Sequence, residues 1–440
     1  MTEQIKQNRQ PERDVAIQEL QKDGGFATII LPLAEHLKYF SSAKEANNRA
    51  MFLEEEDFAP ARKKLKSNVD TLIRILAKAE SIDAMKAQAQ KEVKEISDVK
   101  KKNIEKIVEK IKPIERSWRE LDLFYSNASS GKVENVTMMN VNREDYIDKE
   151  VPMIKDAIRD ILYDADKALD QDKVYSMLVM PGFLGEELIS DYASIANDNN
   201  VLFLSDYKDG DSVADVLEYR KNKGEKIGGI EKKWSHAVLF SNYVQMREKY
   251  NFEEEAMYGS PCVSVAGKLY ATRISQPAAG VEFGGMDKTL GLKFNVLQPH
   301  VGLMGNEGIN AVVNAFQKNM PFNCVTLFNG KNVELRQYAV VRTFDYIDKM
   351  LKHFLNQCVH TSMHEGERRQ RVHRSVLKFL KDLEDNKIIA KGTITKFENN
   401  DDEPDRFDID FAIKPLFATR AFVYKVGVDK TKATSDLSAE

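Results

Sequence analysis

From Pro60 to about Asn127, apolar residues return every three or four positions. Leu65, Val69, Leu72, Ile73 and Leu76 do so first, then Ile104, Ile107, Ile111 and Ile114. This spacing sets them on one stripe of a 3.6-residue helix and predicts long helices. Between the two groups, EVKEISDVKKKNIEKIVEKIK is almost all charge outside its stripe. Such a helix either presents a solvated face or docks on another subunit.

Further along, short apolar runs alternate with helical stretches. A helix over Met153–Leu169 precedes a strand at Val174–Met180. A helix at Gly185–Ala196, a strand at Val201–Leu204, a helix at Val213–Asn222 and a strand near Ala237–Phe240 follow. This order predicts a parallel or mixed sheet covered by helices. Residues 255–330, rich in Gly and β-formers, read as loops and strands. Ile347, Met350, Leu351, Phe354, Leu355 and Cys358 mark an amphipathic helix over Phe344–Cys358, and a second runs about Arg371–Leu383. Near the end the period becomes two: Phe407, Ile409, Phe411 and Ile413 alternate with Asp408, Asp410, Ala412 and Lys414. That is a half-buried strand. Phe422, Tyr424, Val426 and Val428 predict another strand, and Ile388–Phe397 a weaker one.

The fold class is therefore α/β (α+β), a long helical N-terminal region followed by a mixed-sheet core and C-terminal strands. Residues 1–58 form a partly mobile N-terminal segment with an apolar stretch from Phe26 to Leu37, and 59–128 the long helices. An α/β core spans 129–340, opening with a surface excursion over 129–150. Amphipathic helices occupy 341–386, strands 387–428 and a polar tail 429–440.

Of the 440 residues, 42% are hydrophobic, enough for packed cores, and length alone suggests two or three structural units. Charged residues make up 30%, mixed in sign, with a net charge of -4. No global basic field exists to hold a phosphate backbone, so nucleic acid is not expected as a partner. Cys262, Cys324 and Cys358 are odd in number and far apart, which fits a reducing cytosol. The polar start has no signal-peptide layout and no apolar run nears the roughly 20 residues of a membrane span, so a cytoplasmic protein without membrane insertion is expected.

Candidate chemistry is thin. His353, Cys358, His360, His364 and His373 form the best metal-like group, and His360 and His364 would share a helix face. No Glu follows His360, and Cys358 falls on an apolar stripe, so boundary histidines explain the group better. Pro181–Glu187 (PGFLGEE) sits between a strand and a helix, where phosphate loops occur. It lacks the GK[ST] ending, and Glu186 and Glu187 would repel a phosphate. Gly280–Gly291 has DKT where a phosphate loop needs GKT. Structural turns account for both. No nucleophile elbow is present. No cofactor, metal or catalytic residue is assigned, and a nucleotide- or metal-dependent α/β enzyme stays as the alternative from another class.

Three stretches resemble one family. Ile111–Tyr125 (IKPIERSWRELDLFY) is similar to the TssC segment in which an acidic residue precedes a W-R-x-L core, here Glu115, Trp118, Arg119 and Leu121. Glu120 stands where that family usually has Gly. Arg342–Gln357 resembles the late helix of TssC and phage tail-sheath proteins. Phe407–Val426 resembles the TssC terminus, a strand leading through a bend at Pro415 and Phe417 into a final strand. A fourth stretch, Gly305–Val312 (GNEGINAV), is similar to the G-I-N stretch of phage sheaths. The four occur in the family's order, and the shorter, divergent region between them suggests a branch of the Bacteroidetes type.

The resemblance implies the large subunit of a contractile type VI secretion sheath and no enzyme. The long helices would pair with a small TssB-like subunit. Further copies of the chain would stack into a helical tube around an Hcp-like inner tube on a baseplate, and contraction would drive effector delivery. A ClpV-like ATPase would recycle the contracted form. Phe407, Ile409, Phe411, Ile413, Phe422, Tyr424 and Val426 would lie in strands that link subunits by strand addition; an internal hairpin over 388–428 is the alternative reading. A phage-derived sheath of a single chain type is the other structural possibility.

Overall fold

The computed structural model describes residues 52–419, except 79–80, 129–132, 134, 142–144, 147–151, 171–173, 223–226, 361–365, 401 and 404–405. The expectations for residues 1–51, for His364, for the strand of Phe422, Tyr424 and Val426, and for the polar tail lie outside the described residues. The chain divides into two compact units, Met1–Ile111 and Lys112–Glu440. The division falls inside a helix, so the end of the expected helical region belongs to the second unit.

In the first unit, α1 (Ala59–Lys78) carries the first apolar stripe, with Ile73 buried. Arg62 ties its start to the carbonyls of Phe52 and Glu55 at 2.8 and 2.6 Å. Helix α2 (Ile82–Asn127) begins at an N-cap in which Ser81 Oγ accepts the Ala84 N–H. It continues through Pro113 to Asn127.

The second unit holds α3 (Met153–Lys167), β1 (Met177–Val179), α4 (Glu186–Asp198), β2 (Leu202–Asp206), α5 (Val213–Asn222) and β3 (Ala237–Ser241). These match the expected alternation to within a few residues. Then come β4 (Val244–Arg247), β5 (Met257–Gly259), α6 (Pro261–Ala271), β6 (Gly291–Leu292), α7 (Gln298–Asn306), β7 (Ile309–Ala315) and β8 (Lys318–Pro321). The main sheet has the order β1-β2-β3-β7-β8, parallel except for β8. A small antiparallel sheet, β5-β4-β6, is paired separately and packs against it.

Strand periodicity sorts the main sheet into two cores. Phe203, Leu239, Ile309 and Val313 face one side with Ile154, Ile158 and Leu162 of α3 and Leu188 and Tyr192 of α4. Leu202, Leu204, Val238, Phe240 and Val312 face the other, against Cys262, Val265 and Leu269 of α6 and Leu123 of α2.

Helix α8 (Tyr338–Asn356) starts six residues before the expected Phe344, because Tyr338–Thr343 are buried on every side and show no amphipathic period. A polar row along it meets α6 and the residues that lead into β1, β2 and β3. Arg342 Nη2 donates to Leu269 O at 2.9 Å, Asp345 pairs with His236 at 3.2 Å, and Lys349 Nζ donates to Tyr175 O and Asn200 O, both at 2.7 Å. Lys349 thus ties α8 to the residues that lead into β1 and β2. Burial pushes its amine below the usual lysine range.

A third core closes the described chain. Ile347 and Leu351 of α8 pack with Val372, Val376, Leu380 and Leu383 of α9 (Gly366–Asp385) and with a hairpin of β9 (Ile389–Asn399) and β10 (Phe407–Pro415). The hairpin is bulged at Asp410/Phe411 and Lys414/Pro415. After Pro415, Ala418 returns to α8, exchanging two hydrogen bonds with the Gln337 side chain at 3.1 and 3.2 Å.

Candidate assembly surfaces

From Ile104 the apolar residues of α2 follow strict steps of three and four: Ile104, Ile107, Ile111, Ile114, Trp118, Leu121 and Tyr125. All seven are exposed, Trp118 at 60% and Leu121 at 44%. Their steps average 3.5 residues over three heptads, the spacing of the a and d positions that form the seam of a left-handed coiled coil. Val93, Ile96 and Val99 extend the exposed apolar surface upstream.

From Lys112 onward, the side of α2 away from the seam is docked within the second unit. Leu123 is 2% exposed in the second core. Arg116 donates to Tyr258 O at 2.8 Å, and Glu120 accepts the Ser260 N–H at 3.2 Å. Asn127 bonds both ways with the Asp287 backbone at 3.2 and 2.8 Å. Gly267 in α6 leaves room for the α2 backbone, since a Cβ there would collide with Phe124 O.

The E-x-x-W-R-x-L residues divide between these two faces. Glu115 accepts from Arg119 at 2.8 Å and from Arg247 of β4 at 3.0 Å. Arg247 continues to Glu253 at 2.6 Å, and Lys112 stands 3.3 Å from the same carboxylate. Glu253 is held down to about 2, first by Arg247 and further by the Tyr250 N–H and Lys112. Glu115 and Arg119 therefore fasten the helix, while Trp118 and Leu121 are left on the seam. The sequence identified the motif but not this division, because Arg247 and Glu253 lie more than 130 residues away and read as ordinary surface charge.

At β10, one edge is filled by β9 along the whole strand. β9 and β10 form a hairpin over 389–415, inside the 388–428 of the alternative reading, and Phe411 and Ile413 pack against the third core. Phe407 stacks edge-on against Phe397 at 4.7 Å, and Ile409 is half-buried. These four side chains thus face their own chain. Among the described residues no strand pairs with the other edge of β10.

The loops considered for phosphate are committed internally. The Gly182 N–H and the Cys262 N–H are both accepted by the Asp206 carboxylate, at 2.7 and 2.9 Å, and Ser260 Oγ donates to it as well. Burial pushes that carboxyl above the usual range. The Gly182 amide of this loop is thus committed to a fixed acid. The stretch from Gly280 forms one helical turn, Gly280–Phe283, and leads to the two-residue β6. His353 pairs with Asp170 at 3.3 Å, His360 sits beyond the end of α8, and His373 stacks on Phe397 at 4.8 Å. Among the described residues no three His, Cys, Asp or Glu groups stand close enough to share a metal ion. No helix among them is long and apolar enough to cross a membrane.

Comparison with known proteins gives a consistent answer. Family models match three consecutive parts of the chain: the TssC/VipB-like N-terminal region over residues 14–104, the type VI secretion system TssC/VipB central domain over 106–329, and the TssC/VipB-like C-terminal domain over 337–440. Among solved structures, a chain of the anti-feeding prophage baseplate is similar in fold, with TM-score 0.51, 14% identity, and coverage of 70% of this chain and 80% of that one. The sheath complex of the extracellular contractile injection system PVC, in its contracted state, aligns at TM-score 0.47 and 12% identity, covering 69% and 90%. No curated protein matches by sequence. With its central model alone spanning half the sequence, the chain belongs to the TssC/VipB family of type VI secretion sheath large subunits.

Proposed function

We propose that this chain is the large subunit of a two-component contractile sheath in the bacterial cytoplasm. It pairs through α2 with a small TssB-like subunit. The pairs stack as a helical tube on a baseplate around an Hcp-like inner tube, and contraction drives effector delivery. The observation that carries this reading is the exposed three-heptad seam from Ile104 to Tyr125. Burying the exposed half of seven such side chains contributes roughly 5–10 kcal/mol before the costs of association. An unpartnered seam of that size calls for a helical partner.

Contraction on this reading is a rigid-body rearrangement of subunits, with no nucleotide hydrolysed by this chain. A ClpV-like ATPase recycles the contracted form. Links between subunits run through main-chain pairing at the outer edge of β10. Phe407, Ile409, Phe411 and Ile413 hold that strand on its own module, and the segment with Phe422, Tyr424 and Val426 supplies the strand handed to a neighbour.

The test is co-purification with the small genomic neighbour carrying an affinity tag. Wild-type chain elutes with it in equal amounts, and Ile114→Glu/Trp118→Glu lowers recovery at least tenfold while keeping the helical circular-dichroism spectrum. Full recovery of the double variant would overturn the seam assignment.

A further inference from the structure

The hairpin of β7 and β8 turns through Phe316 and Gln317, both at positive φ, 52° and 62°. Two-residue turns of this type favour Asn-Gly, because glycine tolerates positive φ and asparagine bonds its own backbone. Phenylalanine does neither, and a bulky residue there is an outlier. The Phe316 ring is also 70% exposed. An aromatic held in a strained turn with most of its surface in water marks a residue whose contact lies outside its own subunit.

The opposite end of the same strand carries a matching hollow. A cavity of about 280 Å³ opens beside Gly305 and Gly308, immediately before β7, and is lined further by Phe328, Asn329, Arg220 and Arg336. That is below the range of roughly 300–1,000 Å³ typical of small-molecule sites and suits a single large side chain. Arg336 grips Gly330 O through two nitrogens at 2.9 and 2.6 Å, which fixes its guanidinium, a group able to stack on an aromatic ring, in the lining of the hollow. Seven strand residues separate tip from hollow, roughly 23 Å along one axis.

We propose that Phe316 of one copy seats in the Gly305–Arg336 hollow of the next copy along the β7 direction. Knob and socket on opposite ends of one element make a heterologous contact, which propagates into a helical array. The inference deepens the sheath reading and rests on it for the lattice in which the contact forms.

Two measurements on the chain co-expressed with its small neighbour test this. In the first, Phe316→Cys/Asn329→Cys is oxidised after assembly, with both single variants as controls for the three native thiols. A ladder of multimers of this chain, absent from the single variants, is expected. Assembled particles without a ladder, or a cross-link to the small subunit or the tube, would overturn the contact. In the second, Phe316→Asn/Gln317→Gly installs a relaxed turn. The dispersed chain is expected to melt at a higher temperature while assembly falls at least tenfold, opposite changes that a purely structural role does not give. Unchanged assembly would overturn the knob alone. If the wild type forms no assemblies, the sheath reading falls and this contact with it.

Discussion

Arg247 stands between two carboxylates, Glu115 on α2 and Glu253 after β4, and its side chain is only 7% exposed. A buried guanidinium is tolerable because two carboxylates accept hydrogen bonds from it. Glu253 ionises at about 2 in the folded chain against an ordinary 4.5. Between those values the unfolded chain takes up a proton that the folded chain refuses. Its contribution is complete above pH 4.5 and drains away as the pH falls towards 2. The free energy of unfolding by urea should therefore rise with pH across that window, and Glu253→Gln should flatten the rise. An identical slope in wild type and variant would show that the Arg247 network does not anchor α2.

At the scale of elements, α2 presents two opposite faces within one turn. Leu123 is locked in the second core, and Leu121, two residues before it, lies on the seam. Leu123→Ala should cost about 2–5 kcal/mol of stability in a urea titration. Leu121→Ala should change stability by less than about 0.5 kcal/mol and weaken capture of the small subunit instead. Equal destabilisation by both would mean that the seam is part of the chain's own core. The turn of β7–β8 follows the same logic: its positive-φ phenylalanine costs the hairpin about 1–3 kcal/mol. That expense has no return within the subunit.

For the whole molecule, what could be read from the chain followed how each element meets water. Helices with one wet face announced themselves, as α9 and the second half of α8 did, and so did strands bounded by helices. The first turns of α8, dry on all sides, had no period to read. β7 fell within the loops and strands expected over 255–330 but was not marked out by itself, because Asn310 interrupts its apolar run; α6 and α7 in that span are helices instead. The Asn310 amide bonds Leu239 O and Val325 O at 3.1 and 2.8 Å inside the sheet, a role no local pattern reveals. β9 was underestimated because its residues are only half-buried against α9. The alternating strand near the end was recognised and a hairpin with β9 kept as an alternative, but the packing of Phe411 and Ile413 on α8 and α9 depends on contacts more distant in sequence. The family motif located the candidate surface on α2, while the geometry divided it into an anchoring face and an exposed seam.

The central claim is that this chain builds a tube only with a small partner. Negative-stain electron microscopy of the chain expressed alone and together with its small genomic neighbour tests it most directly. Hollow tubes are expected on co-expression only, and are lost when residues 406–428 are deleted. Tubes from the single chain, or discrete particles under both conditions, would contradict it.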